Sequence, residues 1–207
     1  MSAGTAEIRG YTWNGLSQSC TITVTQDGSL AYAGETYEEK CIRIYGKVVD
    51  NYKTYYDSEA SNYESALDHL VSVPIRVWDF ADGSRTTKVT RTCYIQVHEN
   101  LAETFQAIFE EIYNGPEQFP IHSVGGYYTS FDSEHHPGLA VDINPNENCE
   151  CYNDGTVTTG EYWKPGEDPY SIPRDGDVVR AFKKYGFGWG GEWRSKKDYM
   201  HFSYFAT

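Results

Sequence analysis

Two short segments, SEHHPGLAVD at residues 133–142 and DYMHF at residues 198–202, constrain the fold of this chain more than any other feature. The first contains His135 and Asp142, and the second contains Asp198 and His201. Two imidazoles and a carboxylate, with a second carboxylate nearby, meet the needs of a catalytic zinc site: three protein ligands, an open fourth position and a general base. We therefore expect a fold in which these distant segments meet.

The first segment has the pattern of a loop that enters a strand. The run Ala140-Val141-Asp142-Ile143 predicts a strand in which Asp142 shares a face with a small alanine, which leaves room for a metal. Gly138 allows the chain to fold back, so that His135 in the preceding loop can approach. With His201 on a neighbouring strand, the predicted metal ligands are His135, Asp142 and His201.

The other imidazoles and Asp198 have competing interpretations. Neighbouring residues of an extended chain point in opposite directions, so we expect only one of His135 and His136 to bind metal, and we choose His135. His98 and His122 have no comparable neighbours and are predicted to make ordinary hydrogen bonds. Asp198 is predicted to be the general base, and the alternative is a solvated carboxylate in the charged run KKD.

Composition excludes several functional classes. The chain has 17 basic and 30 acidic residues and a formal charge of −13, which argues against nucleic acid and anionic lipid as partners. No apolar run approaches the ~20 residues of a membrane span. The first residues lack the pattern of a signal peptide, although a removed signal or anchor would leave such a chain.

The five cysteines are not predicted to bind metal. Cys149-Glu150-Cys151 lacks the C-x-x-C spacing of a zinc knuckle, and no second pair accompanies it. The odd number leaves at least one thiol unpaired within a monomer, and disulfides between the others would suit an exported protein.

Hydrophobic periodicity predicts an α+β fold with a mostly antiparallel sheet, a few packed helices and a β-rich N-terminal region. Strands are predicted at residues 21–25, 30–33, 41–49, 73–80 and 87–97, with an Asp-Gly turn joining the first two. Helices are predicted at residues 63–70, 99–113 and 178–185. Residues 144–174 are predicted to be an inserted loop whose aromatic side chains form a wall of a substrate groove rather than a disordered segment.

The motifs S-x-H-x-x-G-x-A-x-D, W-G-G-x-W and D-x-x-H-F together resemble those of the zinc peptidases that include D-alanyl-D-alanine carboxypeptidases and L-alanyl-D-glutamate endopeptidases. The resemblance covers about residues 73–207 and divides the chain into this peptidase domain and an N-terminal extension, residues 1–72, of unknown role. It implies an α+β fold shared with Hedgehog signalling domains, zinc bound by His135, Asp142 and His201, and Asp198 as the catalytic base.

The ending of the chain is more similar to the endopeptidase branch, because the carboxypeptidase branch tends to carry Glu-Pro-Trp-His there. One departure concerns the segment before the first ligand, where the family commonly has an arginine that steadies substrate or oxyanion. The run GGYYTS at residues 125–130 has none, and Arg76, Arg91 and Arg174 are unranked candidates for this role. Ser133 is expected to support the site through a hydrogen bond.

The resemblance implies a zinc peptidase that cleaves the peptide stems of peptidoglycan and works outside the cell or at the cell wall. Two alternatives remain: a zinc-stabilised wall-binding module without catalysis, which the missing arginine favours and Asp198 opposes, and a peptidase for D-amino-acid dipeptides.

Overall fold

Antiparallel strands and short helices make up the fold, so the predicted α+β class is confirmed. The computed structural model describes the backbone of Gly4–Tyr11 and Ser17–Val24, and residues 34–206 in full. The helices are α1 (Tyr37–Tyr45), α2 (Ala102–Asn114) and α3 (Asp177–Lys184). The strands are β1 (Gly4–Tyr11), β2 (Ser17–Val24), β3 (Leu70–Phe80), β4 (Lys88–His98), β5 (Val124–Gly125), β6 (Ala140–Ile143), β7 (Asn148–Tyr152), β8 (Val157–Trp163), β9 (Gly188–Trp189), β10 (Lys196–Asp198) and β11 (His201–Ser203).

The sheet that carries the candidate site has the strand order β5-β6-β11-β9. Its central strands β6 and β11 are antiparallel, and all of their residues except Asp142 are buried. Buried on both faces, these two strands are fixed firmly by the core. Side chains on them are held in place before any ligand binds.

A long hairpin and a helix form one wall of the core. The predicted strands at 73–80 and 87–97 are confirmed as β3 and β4, which pair along their whole length. The predicted helix at 99–113 is a 3-10 turn followed by α2. Its apolar face packs into the core through Phe105, Ile108, Phe109 and Ile112, all of which are buried as the helical spacing predicts.

The inserted segment at residues 144–174 is more regular than the predicted loop. It contains the hairpin β7–β8, and β7 also pairs with β10 in a three-stranded sheet of order β10-β7-β8. The prediction of a loop is therefore wrong for residues 148–163. The aromatic ring of Trp163 stacks on Tyr199 at 3.9 Å, so this ring packs within the protein.

The strand predicted at residues 41–49 is also wrong, because residues 41–45 belong to α1 and residues 46–49 lie in no strand. Thr36 caps the helix, with its side chain accepting from the backbone of Glu39 while the Glu39 carboxylate accepts from the backbone of Thr36. Gly46 ends it in the left-handed conformation. This reciprocal cap and the terminal glycine are strong helix signals.

The N-terminal hairpin differs from the predicted one. Residues 21–24 lie in a strand, as predicted, but β2 pairs with β1 upstream. The predicted turn at 26–29 and strand at 30–33 lie outside the described residues. The boundary between the N-terminal extension and the peptidase domain, placed between residues 72 and 73, stays a prediction.

The two remaining helix predictions are close to the structure. The one at 178–185 is α3, and the one at 63–70 is reduced to a 3-10 turn, Ala66–His69, that runs into β3. No helix in the described part of the chain is long and apolar enough to cross a membrane.

Candidate metal centre

The pairing of β6 with β11 places Asp142 directly opposite His201. Opposed residues of an antiparallel pair project from the same face of the sheet, so the two side chains meet. His135 comes from the loop before β6, which turns back at Gly138 with a φ of 72°. The backbone N–H of Gly138 donates to the carbonyl of His135 at 2.9 Å. The turn brings His135 onto the same face.

The three ligand atoms form a nearly equilateral triangle. His135 Nε2 lies 3.1 Å from His201 Nδ1 and 3.2 Å from Asp142 Oδ1, and the last two atoms are 3.2 Å apart. A tetrahedral zinc ion with ligands at about 2.0–2.2 Å has ligand–ligand separations of roughly 3.3–3.6 Å. The triangle is slightly smaller than one face of such a site, and the donor set of two imidazoles and a carboxylate suits zinc.

The tautomer of His135 is set by its surroundings. Its Nδ1 bonds to the backbone carbonyl of Gly126, which only a protonated nitrogen can do. In the neutral ring Nε2 therefore presents a lone pair to Asp142, whose carboxylate also presents one. Two facing acceptors repel unless a cation or proton lies between them, so the arrangement fits a metal ion.

Ser133 supports the loop that carries His135. Its hydroxyl accepts from the backbone N–H of His135 at 3.3 Å, as expected of a residue that steadies the site. The ring of Tyr128 stacks on the imidazole of His135 with a centroid distance of 4.1 Å. These contacts orient the ring of His135 and limit its rotation.

The charges of Asp142 and His201 stabilise each other. Burial alone would raise the pKa of Asp142, but hydrogen bonds with His135 and His201, and the positive charge of these rings when protonated, outweigh it and hold the pKa far below its usual value. Burial alone would lower the pKa of His201, but the hydrogen bond to Asp142 and the charge of that carboxylate raise it. Asp142 thus stays ionised and available as a ligand at neutral pH.

Asp198 interacts electrostatically with two members of the triangle, His201 and Asp142. Its Oδ1 is buried and has no hydrogen-bond partner. Burial raises the pKa of Asp198 to about 7, with a further increase from Asp142 and Glu150 that His201 and Lys196 oppose. A carboxylate with a pKa near the working pH is suited to both accepting and donating a proton.

Gly190 makes room for Asp198. A Cβ atom at residue 190 would lie 2.4 Å from the carbonyl oxygen of Asp198 and 2.8 Å from its Cβ. The W-G-G-x-W motif thus has a structural reason: only glycine lets this turn approach β10 so closely. The predicted DYMHF strand is in fact two strands, β10 and β11, with a bend at Tyr199 and Met200.

The remaining histidines lie outside the triangle. His136 Nε2 bonds to Asp57 at 3.0 Å, in agreement with the prediction that only one of the adjacent imidazoles points to the metal group. His98 bonds to Tyr56, and His122 bonds to Glu147. His98 and His122 thus make ordinary hydrogen bonds, as predicted.

The three arginines considered as substitutes for the family arginine are engaged elsewhere. Arg76 pairs with Glu110 on α2, and Arg91 pairs with Asp79 at the end of the β3–β4 hairpin. The guanidinium of Arg174 lies 5.1 Å from the ring centroid of Trp163. None of these pairings involves a residue of the triangle.

The sequence interpretation placed Lys196 only in the charged run KKD and gave it no role of its own. Lys196, on β10, pairs with Glu150 of β7, and its ammonium lies 5.6 Å from the ring of Trp193. That ring is 5.2 Å from the ring of His201. The i, i+2 spacing of Lys196 and Asp198 was a sequence signal for a shared face, but the position of Glu150 opposite Asp198 depends on strand pairing.

The cysteines that the structure describes, Cys41, Cys93, Cys149 and Cys151, form no disulfide with one another. The single metal-ligand group found among the described residues contains no thiol. That the cysteines do not bind metal stays a prediction.

Comparison with known proteins supports the motif-based resemblance. No solved structure matches the chain significantly, so the expected likeness to Hedgehog domains stays a prediction. The family model described as D-alanyl-D-alanine carboxypeptidase matches residues 128–204, a range that includes His135, Asp142, Asp198 and His201. The resemblance is thereby confirmed for residues 128–204, which are similar to this family of peptidases.

Proposed function

We propose that this protein is a zinc-dependent peptidase that hydrolyses the peptide stems of peptidoglycan. The observation that carries the proposal is the triangle of His135 Nε2, Asp142 Oδ1 and His201 Nδ1, together with Asp198, whose buried Oδ1 has no hydrogen-bond partner. The family match supplies the class of reaction and, through its description, peptides that end in D-alanine.

The residues divide the chemistry between them. His135, Asp142 and His201 would hold a zinc ion, which when bound polarises the scissile carbonyl and acidifies a water molecule. Asp198 accepts the proton of the attacking water and then donates it to the amine that leaves. The raised pKa of Asp198, about 7, is favourable for both steps, although a bound dication will lower it.

The burial of the site also favours a reaction that takes place shielded from bulk water. His135 and His201 are buried, and Asp142 is only partly exposed. Electrostatic interactions at such a site are stronger than in water. We further propose that the protein acts outside the cell or at the cell wall, where its substrate occurs.

Incubation of the zinc-loaded protein with purified wall fragments tests the proposal. We expect shortened stem peptides by mass spectrometry, and we expect no product after removal of zinc with a chelator and recovery when zinc is returned. The product masses also identify the bond that is cut. Fragments that stay intact in the presence of stoichiometric zinc contradict the proposal.

A wall-binding module without catalysis is the second candidate. The observation in its favour is that GGYYTS lacks the family arginine, while Arg76, Arg91 and Arg174 are engaged elsewhere. The same incubation separates the two functions, because a module retains fragments on the protein and leaves their masses unchanged.

A further inference from the structure

The two lysines of β10 lie on opposite faces of the strand. Lys196 and Asp198 are two residues apart and project from one face, whereas Lys197 projects from the other. Glu150 is paired directly opposite Asp198, and its carboxylate bonds to the ammonium of Lys196. Lys197 instead donates to the backbone carbonyl of Trp193. The face with Asp198 therefore carries one cation and two carboxylates.

The ammonium of Lys196 is reachable and has donors to spare. The side chain is 42% exposed, whereas that of Glu150 is 19% exposed. A lysine ammonium has three N–H donors, of which Glu150 takes one. The ammonium lies over the ring of Trp193, which contacts the ring of His201. A ligand bound at the metal group thus has a cation within reach.

The proposed reaction fixes which part of a substrate lies at this face. Asp198 protonates the leaving amine, so the residue that owns this amine must lie beside Asp198. The α-carboxylate of that residue is attached to the carbon next to the amine. Asp142, Asp198 and Glu150 would repel it, and Lys196 is the group on this face that attracts it.

We propose that Lys196 is a specificity residue that binds the free α-carboxylate of the residue that supplies the leaving amine. This inference rests on the proposed function. The inference requires a free α-carboxylate on the residue that supplies the leaving amine. Both the D-alanyl-D-alanine bond and the L-alanyl-D-glutamate bond provide one, because the last D-alanine of a stem and a D-glutamate linked through its side chain each carry a free α-carboxylate. The free α-carboxylate is therefore a substrate feature that Lys196 would recognise whichever of the two bonds is cut.

Binding in a background without turnover tests the inference. The protein with Asp198→Ala is loaded with zinc and titrated with a tripeptide that ends in D-Ala-D-Ala and with its C-terminal amide. In a second pair of peptides, L-alanine is joined to the amine of a D-glutamate whose side-chain carboxyl carries the next residue. The α-carboxylate of this D-glutamate is free in one peptide and amidated in the other. We expect the free carboxylate of at least one pair to bind about 10–100-fold more tightly, the range for a charge-assisted hydrogen bond.

Lys196→Met should reduce this preference about tenfold or more, while Lys197→Met on the opposite face should retain it. Any direct binding of the carboxylate to zinc is common to both variants and cancels in the comparison. Equal preference in the two lysine variants, or no preference for the carboxylate in either pair, overturns the inference. This result is independent of whether the protein with Asp198 intact hydrolyses the peptides, which decides the proposed function.

Glu150→Gln distinguishes recognition from a structural ion pair. If Lys196 binds substrate, loss of its internal counter-ion should maintain or increase the preference for the free carboxylate. If the ion pair only holds β7 to β10, Glu150→Gln and Lys196→Met should have the same effect on binding. Matching losses in both variants therefore contradict a direct role for Lys196.

Discussion

Asp142 and Asp198 are carboxylates beside the same imidazole, yet their pKa values shift in opposite directions. Burial raises the pKa of both. At Asp142 the hydrogen bonds from His135 and His201 outweigh burial, whereas Oδ1 of Asp198 has no partner and burial dominates. The environment thus separates a permanently ionised ligand from a carboxylate that can exchange a proton near neutral pH.

The role of Asp198 is tested by removing its charge while its size is kept. In Asp198→Asn we expect hydrolysis to fall by at least about 100-fold, the lower limit for loss of a general base. Bound zinc, measured by metal analysis, should not change, because Asp198 is not a vertex of the triangle. Glu192→Gln, an exposed carboxylate paired with Lys183, is the control and should keep full activity. Full turnover in Asp198→Asn contradicts the assignment.

The adjacent imidazoles provide a matched test of the metal group. The affinity for zinc should fall at least about tenfold in His135→Gln, because one of three ligands is removed. His136→Gln should retain zinc, since His136 bonds to Asp57 instead. Metal content and affinity are compared at equal folded fraction, measured by circular dichroism, because both side chains are buried. Equal zinc loss in the two variants contradicts the ligand assignment.

The sequence predicted, through its motifs and their family resemblance, that His135, Asp142 and His201 lie together, as they do in the structure. It could not predict the pairing of Lys196 with Glu150. Glu150 lies in the inserted hairpin, and only the register of β7 against β10 brings the two charges together.

At the scale of elements, α1 shows why periodicity alone misled. Ile42-Arg43-Ile44 alternates apolar and polar residues as a strand does, but Cys41 and Ile44 are the buried pair. Their spacing of three residues is helical. The cap at Thr36 and the glycine at residue 46 carried the correct signal, which the β-branched residues obscured. By contrast, α2 has four core residues at helical spacing and was predicted without ambiguity.

The turn that follows β9 lies very close to β10, and a substitution in this turn tests how much that contact matters to the packing of the two elements. In Gly190→Ala, the new Cβ would overlap the backbone of Asp198, so β10 must shift. We expect a loss of about 1–3 kcal/mol in the free energy of unfolding, typical of overpacking, and reduced turnover. Gly83→Ala is the control, because nothing lies within 4 Å of a Cβ there. Chemical unfolding and hydrolysis rates are the measurements, and equal behaviour of the two variants contradicts the prediction.

At the scale of the whole molecule, residues 34–72 contact the predicted peptidase domain, residues 73–207, through specific polar groups. Lys40 donates to the backbone carbonyls of Gly186 and Tyr204. Asp57 bonds to His136, next to a metal-group residue, and Tyr56 bonds to His98. Sequence reasoning left this segment without a role, because its contacts are long-range and have no local pattern.

The contact between Tyr56 and His98 makes stability depend on pH. His98 is fully buried, its Nδ1 accepts from the backbone N–H of Asn100, and its Nε2 lies 2.9 Å from the hydroxyl of Tyr56. Burial, reinforced by His69 and opposed by Glu99, lowers the pKa of His98 from 6.5 to about 4. Neutral His98 thus satisfies both partners, whereas a protonated Nδ1 cannot accept from Asn100.

A histidine with a lowered pKa stabilises the fold above its unfolded pKa, because below that value the unfolded chain takes up a proton that the folded chain does not. We therefore expect the contribution of His98 to be present above about pH 6.5 and to be lost progressively towards pH 4, by at most about 3 kcal/mol. His69 acts in the opposite direction: burial lowers its pKa, but hydrogen bonds to Glu99 and Glu64 raise it overall. Only a comparison of variants isolates His98.

Urea unfolding of the metal-free protein between pH 4 and pH 7 provides that comparison, with a chelator present so that zinc release does not contribute. His98→Gln keeps a neutral hydrogen-bonding side chain and should lower stability at pH 7. Since glutamine does not titrate, the stability difference between the two proteins should shrink as the pH falls from 6.5 towards 4. A difference that stays constant across this range would show that His98 titrates alike in the folded and unfolded chains, and that the burial of its ring has no effect on proton binding.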